Sequence, residues 1–250
     1  VEAGSTAADF FYCLLFKKRH LIFITFTVVL AMITGTGYSA GLTASGSKDA
    51  QTAAVEGLKS WLEVIPKSEL GKYGFSKESE LTQATLGDPF QVVSIQTQKI
   101  LQYKGEDIAD IISAADERWY FPVLVNGAFR TMLIVARKGN AYKVVGIGYS
   151  GLARELGTVR AQWPASRGYN VKLVRVYQAY SDFVLVEGGG EKSGLVPLES
   201  ANRNLGLKSP KSKIIKISGP QVSKPMAVGS VMPKLKAVVE KTLKKKGQQP

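Results

Sequence analysis

The chain has 250 residues, is 45% hydrophobic and has a mean hydropathy of zero, which supports one substantial core or two small ones and excludes wholesale disorder. Its formal charge of +13 suggests a polyanion partner, but from Lys208 onward eleven lysines face the single acid Glu240, so the tail is the basic part and the body is nearly balanced. The only cysteine, Cys13, and the only histidine, His20, lie near the N-terminus. A chain processed after them has no disulfide, thiolate nucleophile, Ser-His-Asp triad or usual zinc or copper site.

Residues 1–14 read as upstream translation outside the fold, because the apolar stretch Phe10–Phe16 precedes the basic cluster Lys17, Lys18 and Arg19. Residues 15–40 have the order of a secretory signal peptide: that cluster, an apolar run from Leu21 to Ile33, then small residues. The run is shorter than the roughly 20 residues needed to cross a bilayer core, so cleavage between Ser39 and Ala44 is the first expectation. An uncut anchor through residues 21–33 is the alternative. Export to the periplasm or beyond follows from the first.

Residues 41–52 read as a tether, and a single α+β domain is expected over 53–218. Val55, Leu58, Leu62 and Ile65 predict an amphipathic helix stopped by Pro66. Val93, Ile95 and Thr97 alternate as a strand, and Ile108, Ile111 and Ile112 suggest a short helix running on through Ala114 and Ala115. Between Arg118 and Gly148 three strand-like runs are separated by Asn126-Gly127 and Gly139-Asn140, which predicts a three-stranded antiparallel meander. Pro122 places the first of these runs at an edge or a bulge.

Ser150–Gln162 reads as a helix with Leu152, Leu156, Val159 and Trp163 on one side. A further hairpin turning at Ser181-Asp182 follows, then a small helix near Leu198–Leu205 and a last strand, Lys213–Ser218. The fold class expected is therefore α+β, with a mainly antiparallel sheet packed with two to four helices. Residues 219–232 read as a linker, and 233–250 as a basic amphipathic helix with Pro233 in its first turn.

Gly146, Gly148 and Gly151 match G-x-G-x-x-G between a strand and a helix, the pattern of a dinucleotide-binding turn. The context argues against that reading. The strand is already paired as a hairpin, and Arg167, Lys172 and Arg175 stand where a ribose-binding acid belongs. The glycines are therefore expected to shape a corner between the last meander strand and a helix, with Ser150 as the helix cap. No nucleotide, cofactor or metal is expected, and no catalytic residue is assigned.

Two groups remain as candidate contacts. Trp119, Tyr120 and Phe121 form an aromatic cluster that suits a peptide or glycan ligand if exposed, although strand alternation would bury at least part of it. Lys241, Lys244, Lys245 and Lys246 suit an anionic membrane or wall surface; lysine without arginine or interleaved aromatics disfavours nucleic acid. The carboxylates Glu106, Asp107, Asp110, Asp116 and Glu117 are the remaining acid-base equipment. The leading expectation is an exported, non-catalytic domain that binds or scaffolds an envelope protein or polymer. The alternative is a carboxylate-dependent hydrolase of an envelope polymer.

Overall fold

The computed structural model describes residues 41–207 and 223–247. The expected signal segment, Cys13, His20 and the strand expected at Lys213–Ser218 lie outside the described residues.

The described fold is α+β. Its sheet runs in the order β5-β4-β3-β2-β6-β7-β8, made from β2 (Phe90–Ile95), β3 (Ile112–Val125), β4 (Ala128–Lys138), β5 (Ala141–Gly148), β6 (Tyr169–Val176), β7 (Ser181–Gly188) and β8 (Glu191–Pro197). The two-residue β1 (Thr85–Leu86) pairs with β3. Among the described residues every pairing is antiparallel except that of β2 with β6.

The meander β3-β4-β5 is formed as expected. Its first turn closes Val125 onto Ala128 with Asn126 at φ 50° and Gly127 at φ 75°, the left-handed pair that a tight hairpin requires. A second meander, β6-β7-β8, stands where a single hairpin was expected. Its first turn lies at Tyr177–Tyr180, so Ser181 and Asp182 are strand residues paired with Val176 and Arg175.

β3 is an interior strand, not an edge, but its register with β4 shifts between Val123 and Leu124, one residue past Pro122, as the bulge alternative expects. The Pro122 carbonyl accepts a hydrogen bond from the Gly87 N–H. On a strand a residue's N–H and C=O point the same way, so the missing donor of Pro122 falls at the break between β1 and β2. The helix expected from Ile108 stops at Ile111 as α3 (Ile108–Ile111), since Ile112 and Ser113 pair with Ile95 and Ser94.

Strand alternation divides the core into two layers. On one face Phe90, Val92, Met132, Leu173 and Val184 pack with Ala153, Leu156 and Val159 of α4 (Ser150–Gln162). On the other face, Leu133, Val135 and Phe121 pack against α1 (Gly41–Glu63) through Ala50, Ala54 and Leu62. Farther along that second face, Val93, Val174, Phe183 and Leu185 pack with Val231, Met232, Leu235 and Val239 of α6 (Val228–Gly247). The short helices α2 (Thr97–Leu101) and α5 (Glu199–Asn204) complete this layer through Ile100 and Ala201.

Two boundaries shift as a result. The expected tether, residues 41–52, is the first half of α1, and Ala50 within it is fully buried. The C-terminal helix begins at Val228, five residues before Pro233, within the expected linker. Its apolar stripe belongs to the core, so it is not an appendage. Met226 also bridges to Leu195, with N–H···O bonds of 2.9 and 2.8 Å, and covers part of the free edge of β8.

Candidate functional site

The corner at Gly146–Gly151 has the expected topology. β5 is an edge strand, antiparallel to β4, and α4 follows it directly. Among the described residues the strand beside Val144 is the antiparallel β4, not a parallel one as a dinucleotide-binding turn would have. Ser150 is not the cap. It is the first helical residue, and its hydroxyl donates to the Lys72 carbonyl at 2.9 Å. The N-cap position is held by Tyr149, with φ 62° and ψ 46°, a left-handed conformation that a large L residue adopts at a cost.

That turn projects the Tyr149 side chain over the α4 face of the sheet. Its ring stacks on Tyr120 of β3, with centroids 6.0 Å apart and planes 24° from parallel. The Arg175 guanidinium of β6 lies 5.4 Å from the Tyr120 centroid and 5.6 Å from that of Tyr149. Arg175 donates from Nε and Nη2 to the two carboxylate oxygens of Asp182 at 2.7 and 3.2 Å, and from Nη1 to the Tyr120 hydroxyl at 2.8 Å. Arg175 and Asp182 are 14% and 19% exposed, whereas Tyr149 is 52% exposed. The cluster is thus a fixed polar base under a half-open aromatic ring.

The electrostatics agree with this geometry. Burial works against the Arg175 charge, but the hydrogen bonds and charge of Asp182 outweigh it and raise the guanidinium pKa. Burial raises the Tyr120 phenol, opposed by the charge of Arg175. Nearby on α4, burial raises the Glu155 carboxyl, opposed by a hydrogen bond from the Glu199 N–H at 2.6 Å. The Ser113 hydroxyl and Arg118 Nε are buried on the same face without a hydrogen-bond partner.

The expected aromatic cluster is not a surface. Trp119, Tyr120 and Phe121 are 9%, 1% and 0% exposed. Alternation sends Trp119 and Phe121 into the α1 layer and Tyr120 into the α4 layer. Tyr120 reaches the site from below, as the support of Tyr149. Lys241, Lys244 and Lys245 are exposed along the last turns of α6, and the side chain of Lys246 lies outside the description.

The candidate carboxylates do not converge. Glu106 accepts from the Lys104 N–H, Asp107 precedes α3, and Glu117 holds Arg137 at 2.8 Å and Tyr142 at 3.2 Å. The side chain of Asp116 lies outside the description. Among the described residues no group of three or more His, Cys, Asp or Glu side chains is placed to hold a metal ion, and no helix is long and apolar enough to cross a membrane.

Two grooves flank the body. One of about 540 Å³ runs along α1 and is lined by Val55, Leu58, Leu62 and Leu81, with the Lys67–Glu78 ion pair on its rim. The other, about 690 Å³, lies between α4 and the β3–β4 turn. The chain matches no protein-family model, no curated protein and no solved structure.

Proposed function

We propose that this chain is a non-catalytic binding or scaffolding module exported to the bacterial cell envelope, and that Tyr149 is its anchor for a protein partner. The observation that carries the reading is a half-exposed tyrosine held rigid: its backbone is fixed in a left-handed turn, and its inner side is packed on Tyr120 and Arg175. A ring already ordered loses little entropy on binding, and tyrosine and arginine dominate the energetics of protein interfaces. The envelope assignment is supported by the Lys17–Arg19 cluster and the apolar run Leu21–Ile33. The exposed lysines of α6 supply a secondary contact for an anionic membrane or wall surface.

The hydrolase alternative draws on Glu106, Asp107, Asp110, Asp116 and Glu117, whereas the carboxylates beside the Tyr149 cluster are Glu155 and Asp182. Both already have structural work. Glu155 holds the first N–H of α5, and Asp182 grips Arg175 with both oxygens.

The test places the photo-crosslinker p-benzoylphenylalanine at Tyr149 or, separately, at Lys192 on the β7–β8 turn of the full chain in a bacterial host. Cells are then fractionated before and after irradiation. The binding reading expects the chain in the envelope fraction and a discrete adduct from position 149 alone. Equal adducts from both positions, or a chain confined to the cytosol, overturn it.

A further inference from the structure

We infer that the groove between α4 and the β3–β4 turn is a second binding site, and that its ligand is an acidic peptide segment. This site is separate from Tyr149 and stands on different residues. It is a shallow depression of about 690 Å³, open to solvent, which suits an extended segment lying along the surface rather than an enclosed small molecule. It is lined by Ala128 and Phe129 after the turn and by Arg154, Gly157 and Ala161 of α4, with the Phe129 ring packed on Gly157 between the two elements. Gly157 shapes the groove, since a Cβ there would stand 2.9 Å from the Phe129 ring. The ring therefore lies directly on the helix backbone and makes an apolar side to the groove.

The charge is one-sided. Arg154 and Arg160 line the groove, and no acid does. Among the described residues Arg130, Arg137, Arg175 and Arg203 each have a carboxylate within ion-pair distance, whereas Arg118, Arg154, Arg160 and Arg167 have none, and two of those four, Arg154 and Arg160, lie together in this groove. Arg154 is exposed. Arg160 is pinned: Nη2 donates to the Pro89 carbonyl at 3.2 Å, and the guanidinium lies 4.3 Å over the Phe90 ring. Its Nε is buried with no hydrogen-bond partner. Burial lowers its pKa, with only partial relief from the charge of Asp88.

A desolvated cation without an anion is costly, and a carboxylate matches the planar guanidinium fork. Phosphate polymers offer charge but nothing for the Phe129 side of the groove. A peptide carrying acidic residues beside an apolar one satisfies both the arginines and the ring, so the ligand class is an acidic peptide.

The test titrates full-length chain with acetylated Asp-Glu-Phe-Asp-Glu amide, with its neutral counterpart Asn-Gln-Phe-Asn-Gln, and with polyphosphate. Amide NMR shifts locate any binding. The expected result is saturable binding of the acidic peptide, with shifts at residues 127–129 and 154–162. Affinity falls at least tenfold in Arg154→Glu and is unchanged when Lys241, Lys244 and Lys245 are all glutamine. Arg154→Glu changes an exposed side chain, and a retained spectrum elsewhere confirms that it folds. Absence of binding, equal binding of the neutral peptide, tighter binding of polyphosphate, or loss only in the lysine variant each overturns the inference.

Discussion

Asp182 and Arg175 are direct cross-strand partners on β7 and β6, and the carboxylate holds the guanidinium with both oxygens. This pair fixes the base on which Tyr149 rests. Because both residues are mostly buried, removing one partner leaves a charge with poor solvation. Asp182→Ala should cost about 2–3 kcal/mol in urea unfolding. The double change Arg175→Met with Asp182→Leu should cost less than either single change, since no charge is then stranded. A double variant as unstable as the sum of its parts would show that the pair is not the stabilising unit.

Tyr149 separates backbone strain from ring packing. Tyr149→Ala and Tyr149→Gly both remove the ring from Tyr120, but only glycine relieves a φ of 62°. The glycine variant should therefore be more stable than the alanine variant by about 1 kcal/mol. Thermal unfolding of the two side by side checks this, and the reverse order would contradict the left-handed corner.

Glu155 sets a pH dependence of known sign. Burial raises its carboxyl above the ordinary carboxylate range, so the folded chain holds this proton more tightly than the unfolded chain does. The resulting stability is fully present below the unfolded value and is lost as pH rises through the raised folded value. Glu155→Gln removes that loss while leaving an oxygen to accept from the Glu199 N–H. The stability of the variant relative to the parent should rise from acidic to neutral pH in denaturant titrations. A flat difference would exclude Glu155 as the responsible group.

Gly57 of α1 lies tight against Val144 of β5. A Cβ at this position would lie 2.4 Å from Val144 Cγ2 on β5. Gly57→Ala should destabilise by about 1–3 kcal/mol through overpacking, although alanine is the better helix former by about 1 kcal/mol. Adding Val144→Ala should recover part of the loss. No recovery in the double variant would place the clash elsewhere.

Local chemistry made the β3-β4-β5 meander legible, because Asn126-Gly127 and Gly139-Asn140 demand tight turns between apolar runs. The same reading missed what tertiary pairing decides. Residues Ile112–Glu117 have a helical composition, yet they form strand as Ser113 and Ile112 pair with β2. β8 alternates poorly: Glu191–Ser193 are exposed and Gly194–Pro197 are continuously buried. α1 extends back through a Gly/Ser/Thr-rich stretch because Ala50 and Ala54 find a surface to pack on.

At the site, Tyr120 was visible as an aromatic on a strand, but its partners were not. Arg175 and Asp182 are seven residues apart and meet only because the turn lies at Tyr177–Tyr180. The role of Tyr149 depends on a backbone angle that no composition rule announces. The isolated cationic groove likewise depends on which arginines find an acid in the folded chain.

The one parallel pairing gives the sheet a seam. β3-β4-β5 and β6-β7-β8 are each built from neighbours in the chain, so each can zip from its own turns. They join where Val92, Val93 and Ser94 meet Leu173, Val174 and Arg175, a contact that closes a loop of about 80 residues. That junction carries the highest entropic cost of closure in the sheet, and it places β2 in the slowest step of assembly. Arg175, the base of the Tyr149 cluster, sits on the seam itself, so the cluster is complete only once the two halves have docked.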